Sequence, residues 1–305
     1  MESVASVTES KNERHVLSLI GDYVELTKPR IALMVLLTVI VAGFLAAGGS
    51  ASVLALLHVS IGVLLISASG SAWNQYLERY TDFLMPRTAL RPLPDHRLTA
   101  TQVAAFGAIT FGAGIVYLGA VVGSLAMLLG LATWLLYVLV YTPMKRRTWW
   151  NTAVGAIAGA MPVLIGAVAW GQHVTGPVWG LFAILFLWQF PHFMAIAWLY
   201  RRDYAEGGLK MITVVDPSGR LAGVHAIIGA IALLLVSVAT AFCYSSVEAQ
   251  SVVVGVGGLV GLWYLASSIQ FARRLDDGAA RRLLRVSLLH LPLVLLALVV
   301  ARIIE

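Results

Sequence analysis

Apolar residues in this chain are not sprinkled at helical spacing along an otherwise polar sequence; they run together in long blocks. A hydrocarbon core about 30 Å thick is crossed by roughly 20 helical residues at about 1.5 Å per residue. Nine blocks reach that length, at 31–47, 52–73, 101–119, 123–141, 152–170, 178–199, 221–243, 251–270 and 284–303. The pattern predicts an all-α fold, a polytopic bundle of nine transmembrane helices joined by polar loops. Two of those loops are long, 74–97 and 201–220, and each follows an even-numbered span. The connections on the opposite side, such as AAGGSAS and GAVVGS, are short and nearly uncharged.

Charge orients the bundle. Lys11, Arg14, Lys28 and Arg30 precede the first span, and Arg79, Arg87, Arg91 and Arg97 follow the second. Lys145, Arg146 and Arg147 follow the fourth, and Arg201, Arg202, Lys210 and Arg220 the sixth. Arg273, Arg274, Arg281, Arg282 and Arg285 separate the eighth from the ninth, which leaves only Arg302 on the other side. Basic residues collect on the cytoplasmic face of membrane proteins, so the N-terminus and all these loops are expected in the cytoplasm.

Composition agrees. Of 305 residues 59% are hydrophobic and 12% charged, and the mean hydropathy of +0.86 exceeds what a soluble core requires. The net charge of +6 is accounted for by topology, and no nucleic-acid partner is needed to explain it. Cys243 is the single cysteine, which excludes an intrachain disulfide and a cysteine-based zinc site. Residues 1–21 mix acids, bases and small polar residues without the apolar core of a secretory signal. They are expected to form a cytoplasmic tail preceding one transmembrane domain over 22–305.

The stretch NQYLERYTDFLMPRTALRPLP, 74–94, concentrates chemistry at a membrane edge. Asn74, Glu78 and Asp82 are spaced i, i+4, i+8, which puts all three on one helix face. An amide and two carboxylates suit a hard cation such as Mg²⁺, which completes its shell with water and phosphate oxygens. Arg87 and Arg91 follow at once, and a guanidinium presents several donors to an anion. A polar loop whose acids merely pair with its own arginines is the plainer reading. In the second loop Asp203 can hold a second cation or pair with Arg202. Lys145 and Arg146, in YTPMKRRTWWN, either bind an anion or simply mark the cytoplasmic side.

His192 lies within the sixth apolar block directly after Pro191, and an ionisable group inside a membrane span calls for a reason. Its imidazole can bind a porphyrin iron, orient a propionate, or hydrogen-bond a carbonyl that Pro191 leaves unpaired.

The 74–94 stretch resembles the first signature of the UbiA superfamily of intramembrane prenyltransferases. LTKPRI at 26–31, YTPMKRRTWWN at 141–151, WQFPHF at 188–193 and DYAEGGLKM at 203–211 narrow the resemblance to its protohaem IX farnesyltransferase branch. It covers the chain from residue 22 to about 300. The resemblance implies Mg²⁺-dependent transfer from farnesyl diphosphate to haem B, giving haem O for terminal oxidases, in a bacterial inner membrane. It also implies membrane lipid as surroundings, with a haem A synthase or an oxidase assembly factor as partner. Residue by residue, Asn74, Glu78 and Asp82 match the first metal motif, Arg87 and Arg91 its diphosphate-binding arginines, and Asp203 the second acidic region. Two departures stand out. Tyr80 occupies a position that is often Asp, and Gly207 stands four residues after Asp203, where quinone-modifying relatives carry a second aspartate.

Two other functions remain in play at this level. A prenyltransferase for an aromatic quinone precursor would share the first signature. A secondary transporter would also have many spans, but would place its polar groups near the midplane of broken helices.

Overall fold

The computed structural model describes residues 18–169 and 174–305. Most of the expected N-terminal tail, residues 1–17, therefore lies outside the described residues, and 18–26 are helical. Among the described residues nine helices are long and apolar enough to cross a membrane. They are α1 (Pro29–Ala46), α2 (Val53–Leu84), α3 (Ala100–Val122), α4 (Ser124–Met144), α5 (Asn151–Val168), α6 (Gly176–Leu199), α7 (Arg220–Ala241), α8 (Val247–Arg274) and α9 (Asp277–Ile304). The protein is an all-α, multi-pass membrane protein.

Local chemistry explains where the helices begin and stop. Pro29 opens α1, where its missing N–H costs nothing and its fixed φ suits a first turn. Thr99 caps α3 in a reciprocal box with Gln102. Asp276 caps α9 by accepting from the Ala279 amide at 2.7 Å. Several helices outrun their apolar blocks. α2 continues beyond residue 73 to Leu84, because nothing breaks it before Pro86 and its polar residues are acceptable helix formers. α8 and α9 likewise extend through their arginine-rich ends and meet at a tight corner, with Leu275 in the left-handed region at φ 48°. Hydropathy marks the part of a helix that needs lipid, while the backbone ladder ends only at a breaker.

Packing arranges the helices around α1, which contacts α2, α5, α6 and α9; α5 in turn contacts α2, α4 and α6. The remaining helices close against one another in order, α6 on α7, α7 on α8 and α8 on α9, with α9 returning to α6. Close approach needs small residues. A Cβ on Gly166 of α5 would sit 2.4 Å from the Val39 carbonyl oxygen of α1. Outward positions are apolar, with Leu33, Ile109, Val116 and Leu259 all two-thirds exposed or more, as a lipid-facing surface requires.

One end of the bundle is closed by the two long loops. The 201–220 loop folds into short helices at Arg201–Glu206 and Ile212–Val215. Met85 from the first loop packs with Tyr204, Leu209 and Met211 from the second in a small buried cluster. The Lys210 amide donates to the Lys145 carbonyl at 2.7 Å, which ties the second loop to the end of α4.

Candidate active site

Beneath that cap lies a cavity of about 390 Å³, within the range of small-ligand pockets. It is walled by α1, α2, α4, α5 and α6 and by both loops. Along α2 it descends from Asp82 to Val63, and the stretch below Asn74 alone spans about 16 Å at 1.5 Å per residue. Its deep part is mostly apolar, lined by residues such as Val63, Ile66, Pro162 and Ile165. Its mouth, under the two loops, is strongly polar.

Asn74, Glu78 and Asp82 all line that mouth, and all three are buried. Each faces a cation supplied by a different part of the chain. Lys28, just before α1, donates to Asn74 Oδ1 at 2.8 Å. Lys145, just after α4, pairs with Glu78 at 2.8 Å. Arg91, from the loop, pairs with Asp82 Oδ2 at 2.6 Å. The Asn74 amide nitrogen donates to Thr142 Oγ1 at 3.2 Å, which fixes its oxygen toward Lys28. Arg87 also lines the cavity, its guanidinium 4.4 Å from the centre of the Tyr200 ring and 5.8 Å from that of Tyr204.

Two of these cations have shifted proton affinities. Burial, reinforced by the positive charges of Arg91 and Lys145, pushes the Lys28 ammonium down to about 7. Burial opposes charge at Lys145 too. There the Glu78 carboxylate, together with Tyr141 and Tyr137, outweighs it and holds the ammonium well above its ordinary range.

The residues present suit a divalent cation. Asp82 uses Oδ2 for Arg91, while its Oδ1 is buried without a hydrogen-bond partner, an arrangement that costs energy until a cation or donor arrives. Among the described residues no three acids, histidines or cysteines converge as a metal cluster. A cation here would have to draw on the two carboxylates, the Asn74 amide oxygen and oxygens from a bound substrate.

Other candidates from the sequence lie elsewhere. Asp203 is half-buried in Arg201–Glu206 and does not line the cavity; its neighbour Tyr204 does, since consecutive helical residues point about 100° apart. Arg146 and Arg202 are exposed and also outside the lining. His192 meets Ser287 of α9 at 2.7 Å and stacks on Trp188 at 4.5 Å, so it faces α9. The next residue, Phe193, is the one that lines the cavity. Tyr80 is 72% exposed and lies under the Arg79 guanidinium. It sits two residues from both Glu78 and Asp82, on the opposite face of α2, so an acid at that position would point away from the site.

The structure also adds residues that no sequence pattern assigned to the site. Lys28 is one, though LTKPRI drew attention to its segment. Asn151 is fully buried at the start of α5 and lines the cavity, with Nδ2 donating to the Thr148 carbonyl at 2.7 Å and Oδ1 unpartnered. Tyr137 and Tyr141, stacked at 5.4 Å, face the cavity from a π-helical stretch, Leu136–Tyr141. The wider π turn leaves a carbonyl for the Thr142 hydroxyl, which donates to Tyr137 O at 2.9 Å. No periodicity in the sequence signals that turn.

A family model for the UbiA prenyltransferase family matches residues 35–291. The chain belongs to the UbiA prenyltransferase family. It is 45% identical over 280 residues to a protoheme IX farnesyltransferase of Rhodopirellula baltica, covering 90% of this chain and 98% of that one. The protoheme IX farnesyltransferase of Solibacter usitatus is 44% identical over 282 residues, covering 90% and 96%. A UbiA homolog from Archaeoglobus fulgidus, solved bound to GPP and Mg²⁺, superposes with a TM-score of 0.69 at 15% identity, covering 91% of this chain and 99% of that one. That structural likeness establishes the shared fold, and the sequence relatives place the chain among transferases.

Proposed function

We propose that the protein transfers the farnesyl group of farnesyl diphosphate to a vinyl group of haem B, forming haem O for terminal oxidases. The observation that carries this reading is the layered cavity: buried acids facing Lys28, Arg91 and Lys145 at the mouth, and a deep apolar slot below. An allylic diphosphate has the matching shape, a polyanion at one end and a hydrocarbon chain at the other.

Each part of the chain then has a task. Lys28, Arg87, Arg91 and Lys145 bind and orient the diphosphate oxygens. Asn74, Glu78 and Asp82 hold Mg²⁺, which when bound neutralises diphosphate charge and makes it a better leaving group. The apolar walls along α2 and α5 align the farnesyl chain and keep bulk water from its reactive carbon. The cap of Met85, Tyr204, Leu209 and Met211 closes the cytoplasmic side. Asp203, Arg146, Arg202 and His192 lie outside the cavity lining, so any contribution they make is indirect.

The one-sided distribution of Arg and Lys supports an N-terminus and an active-site mouth in the cytoplasm, and the similarity to the Rhodopirellula and Solibacter proteins supports a bacterial inner membrane. Haem O is apolar and reactive, so direct hand-over within the membrane to a haem A synthase or an oxidase assembly factor suits its chemistry.

The test is to incubate purified protein with Mg²⁺ and farnesyl diphosphate, adding haem B or a hydroxybenzoate, and to weigh the product. Farnesylated haem is expected. A prenylated hydroxybenzoate would instead favour the quinone-precursor reading, and no product with either acceptor would reject transfer altogether.

A further inference from the structure

One polar group sits below the charged mouth, where the proposed reaction has its carbon chemistry. Gln189 of α6 is buried and lines the cavity. Its Nε2 donates to the Ala156 carbonyl of α5 at 2.9 Å and to the Leu185 carbonyl at 3.1 Å. Both amide hydrogens are thereby spent on backbone held in rigid helices, which decides the orientation of the carboxamide. Oε1 lies over Gly159 of α5, where a Cβ would come within 2.4 Å. It is a locked acceptor that no hydrogen bond among the described residues uses, opening on a cavity. Anchoring α6 to α5 requires only Nε2 and leaves the oxygen unexplained.

Its depth follows from contacts on three helices. Asn74 meets Thr142, Tyr141 packs on Gly155, Tyr137 packs on Gly70, and Gln189 packs on Gly159. The steps from Asn74 to Gly70, from Tyr141 to Tyr137 and from Gly155 to Gly159 are each four residues, about 6 Å along a helix. All three run away from the cytoplasmic mouth. Gln189 Oε1 therefore belongs to the tier one turn below the diphosphate layer, together with Tyr137. On the function proposed above, a farnesyl chain whose diphosphate fills the mouth has its first carbon in that tier, where the acceptor vinyl group must reach it.

We propose that Gln189 positions the water molecule that completes the reaction, accepting a hydrogen bond from it through Oε1. The inference rests on the function proposed above. As the carbon–oxygen bond to diphosphate breaks, its electron pair leaves with the diphosphate. The vinyl π pair forms the new bond from the terminal vinyl carbon to the farnesyl carbon. The other vinyl carbon, next to the porphyrin ring, becomes electron-deficient. A lone pair of the water oxygen closes a carbon–oxygen bond there, and the released proton passes to the departing diphosphate. Without a held water the same carbon relaxes by losing a proton from its neighbour, and the product is an alkene lighter by one water.

An apolar cavity that excludes bulk solvent cannot rely on chance encounters with water. A single ordered water needs two to four polar partners. Gln189 Oε1 supplies a fixed one, and the Tyr137 and Ser71 side chains line the same cavity nearby. Gln189 is on this reading a positioning residue: it sets the outcome of the last step and leaves diphosphate release alone.

The experiment compares wild type, Gln189→Leu and Gln189→Glu with Mg²⁺, farnesyl diphosphate and haem B in ¹⁸O-labelled water. Diphosphate release is followed alongside product mass. Wild type is expected to give labelled hydroxyl product. Gln189→Leu is expected to shift the ratio of alkene to hydroxyl product roughly fivefold or more, as loss of one hydrogen bond implies, with diphosphate released per haem consumed unchanged. Gln189→Glu removes both donors that lock the oxygen and sets a carboxylate against the Ala156 and Leu185 carbonyls, so it is expected to shift the ratio in the same direction. Gly159→Ala, which pushes the same oxygen aside, provides a second route to the shift should Gln189→Leu fail to fold. A wild-type product ratio in either Gln189→Leu or Gly159→Ala overturns the proposal. Failure of wild type to farnesylate haem is a different result, and overturns the function on which it rests.

Discussion

Replacing Lys145 by Met keeps most of the unbranched side chain and removes its charge, which isolates the ion pair with Glu78. The two groups are 2.8 Å apart, with the lysine side chain 14% exposed and the glutamate 9%. Breaking a buried pair from one side strands the other charge and costs about 3–5 kcal/mol. At about 2–4 °C per kcal/mol for a chain of this size, the melting temperature is expected to fall by roughly 6–20 °C. The stranded carboxylate then becomes a better cation ligand, because no ammonium competes for it. Mg²⁺ at a hundred times its dissociation constant returns about 2.7 kcal/mol. Thermal unfolding in detergent, with and without Mg²⁺, reads both effects, and the Glu78→Gln/Lys145→Met pair should recover much of the loss by removing both charges. If Lys145→Met melts within about a degree of wild type and gains no more from Mg²⁺ than wild type does, the reasoning about a charge-balanced mouth is wrong.

Asp82→Asn should abolish farnesyl transfer while the protein stays folded in membranes, because the isosteric amide keeps the packing and loses the charge; full activity would remove Asp82 from the site. Chelation by EDTA should stop transfer in wild type and added Mg²⁺ should restore it, whereas turnover insensitive to chelation would exclude a divalent cation. Gly166→Ala should destabilise by about 1–3 kcal/mol or more, since its Cβ meets the Val39 backbone, which cannot swing aside; an unchanged melting temperature would contradict the close crossing of α1 and α5. His192→Ala should cost about 1 kcal/mol through the lost bond to Ser287 and leave haem affinity unchanged. A clear loss of affinity in a haem titration would instead put His192 on the acceptor's path.

What the sequence determined by itself was whatever repeats along one helix or depends on lipid. Nine apolar blocks and the basic bias of their connections defined the spans, because a bilayer imposes a length and a charge asymmetry that each segment must meet alone. The period of 3.6 placed Asn74, Glu78 and Asp82 on one face, and the same period turns Tyr80 away from it. Contacts between helices decided the rest. Arg91 reaches Asp82 within one loop, a pairing the sequence offered, but Lys28 and Lys145 became partners of Asn74 and Glu78 only through the way α1, α2 and α4 rotate against one another. Gln189 and Asn151 entered the cavity from α6 and α5, Asp203 stayed outside it because a rotation of about 100° per residue gave Tyr204 the inward position, and His192 turned to α9. Helix rotation and tilt are set by the summed packing of many side chains from distant parts of the chain. No local pattern records that sum, so the chemistry of a single helix is legible in advance and the meeting of five is not.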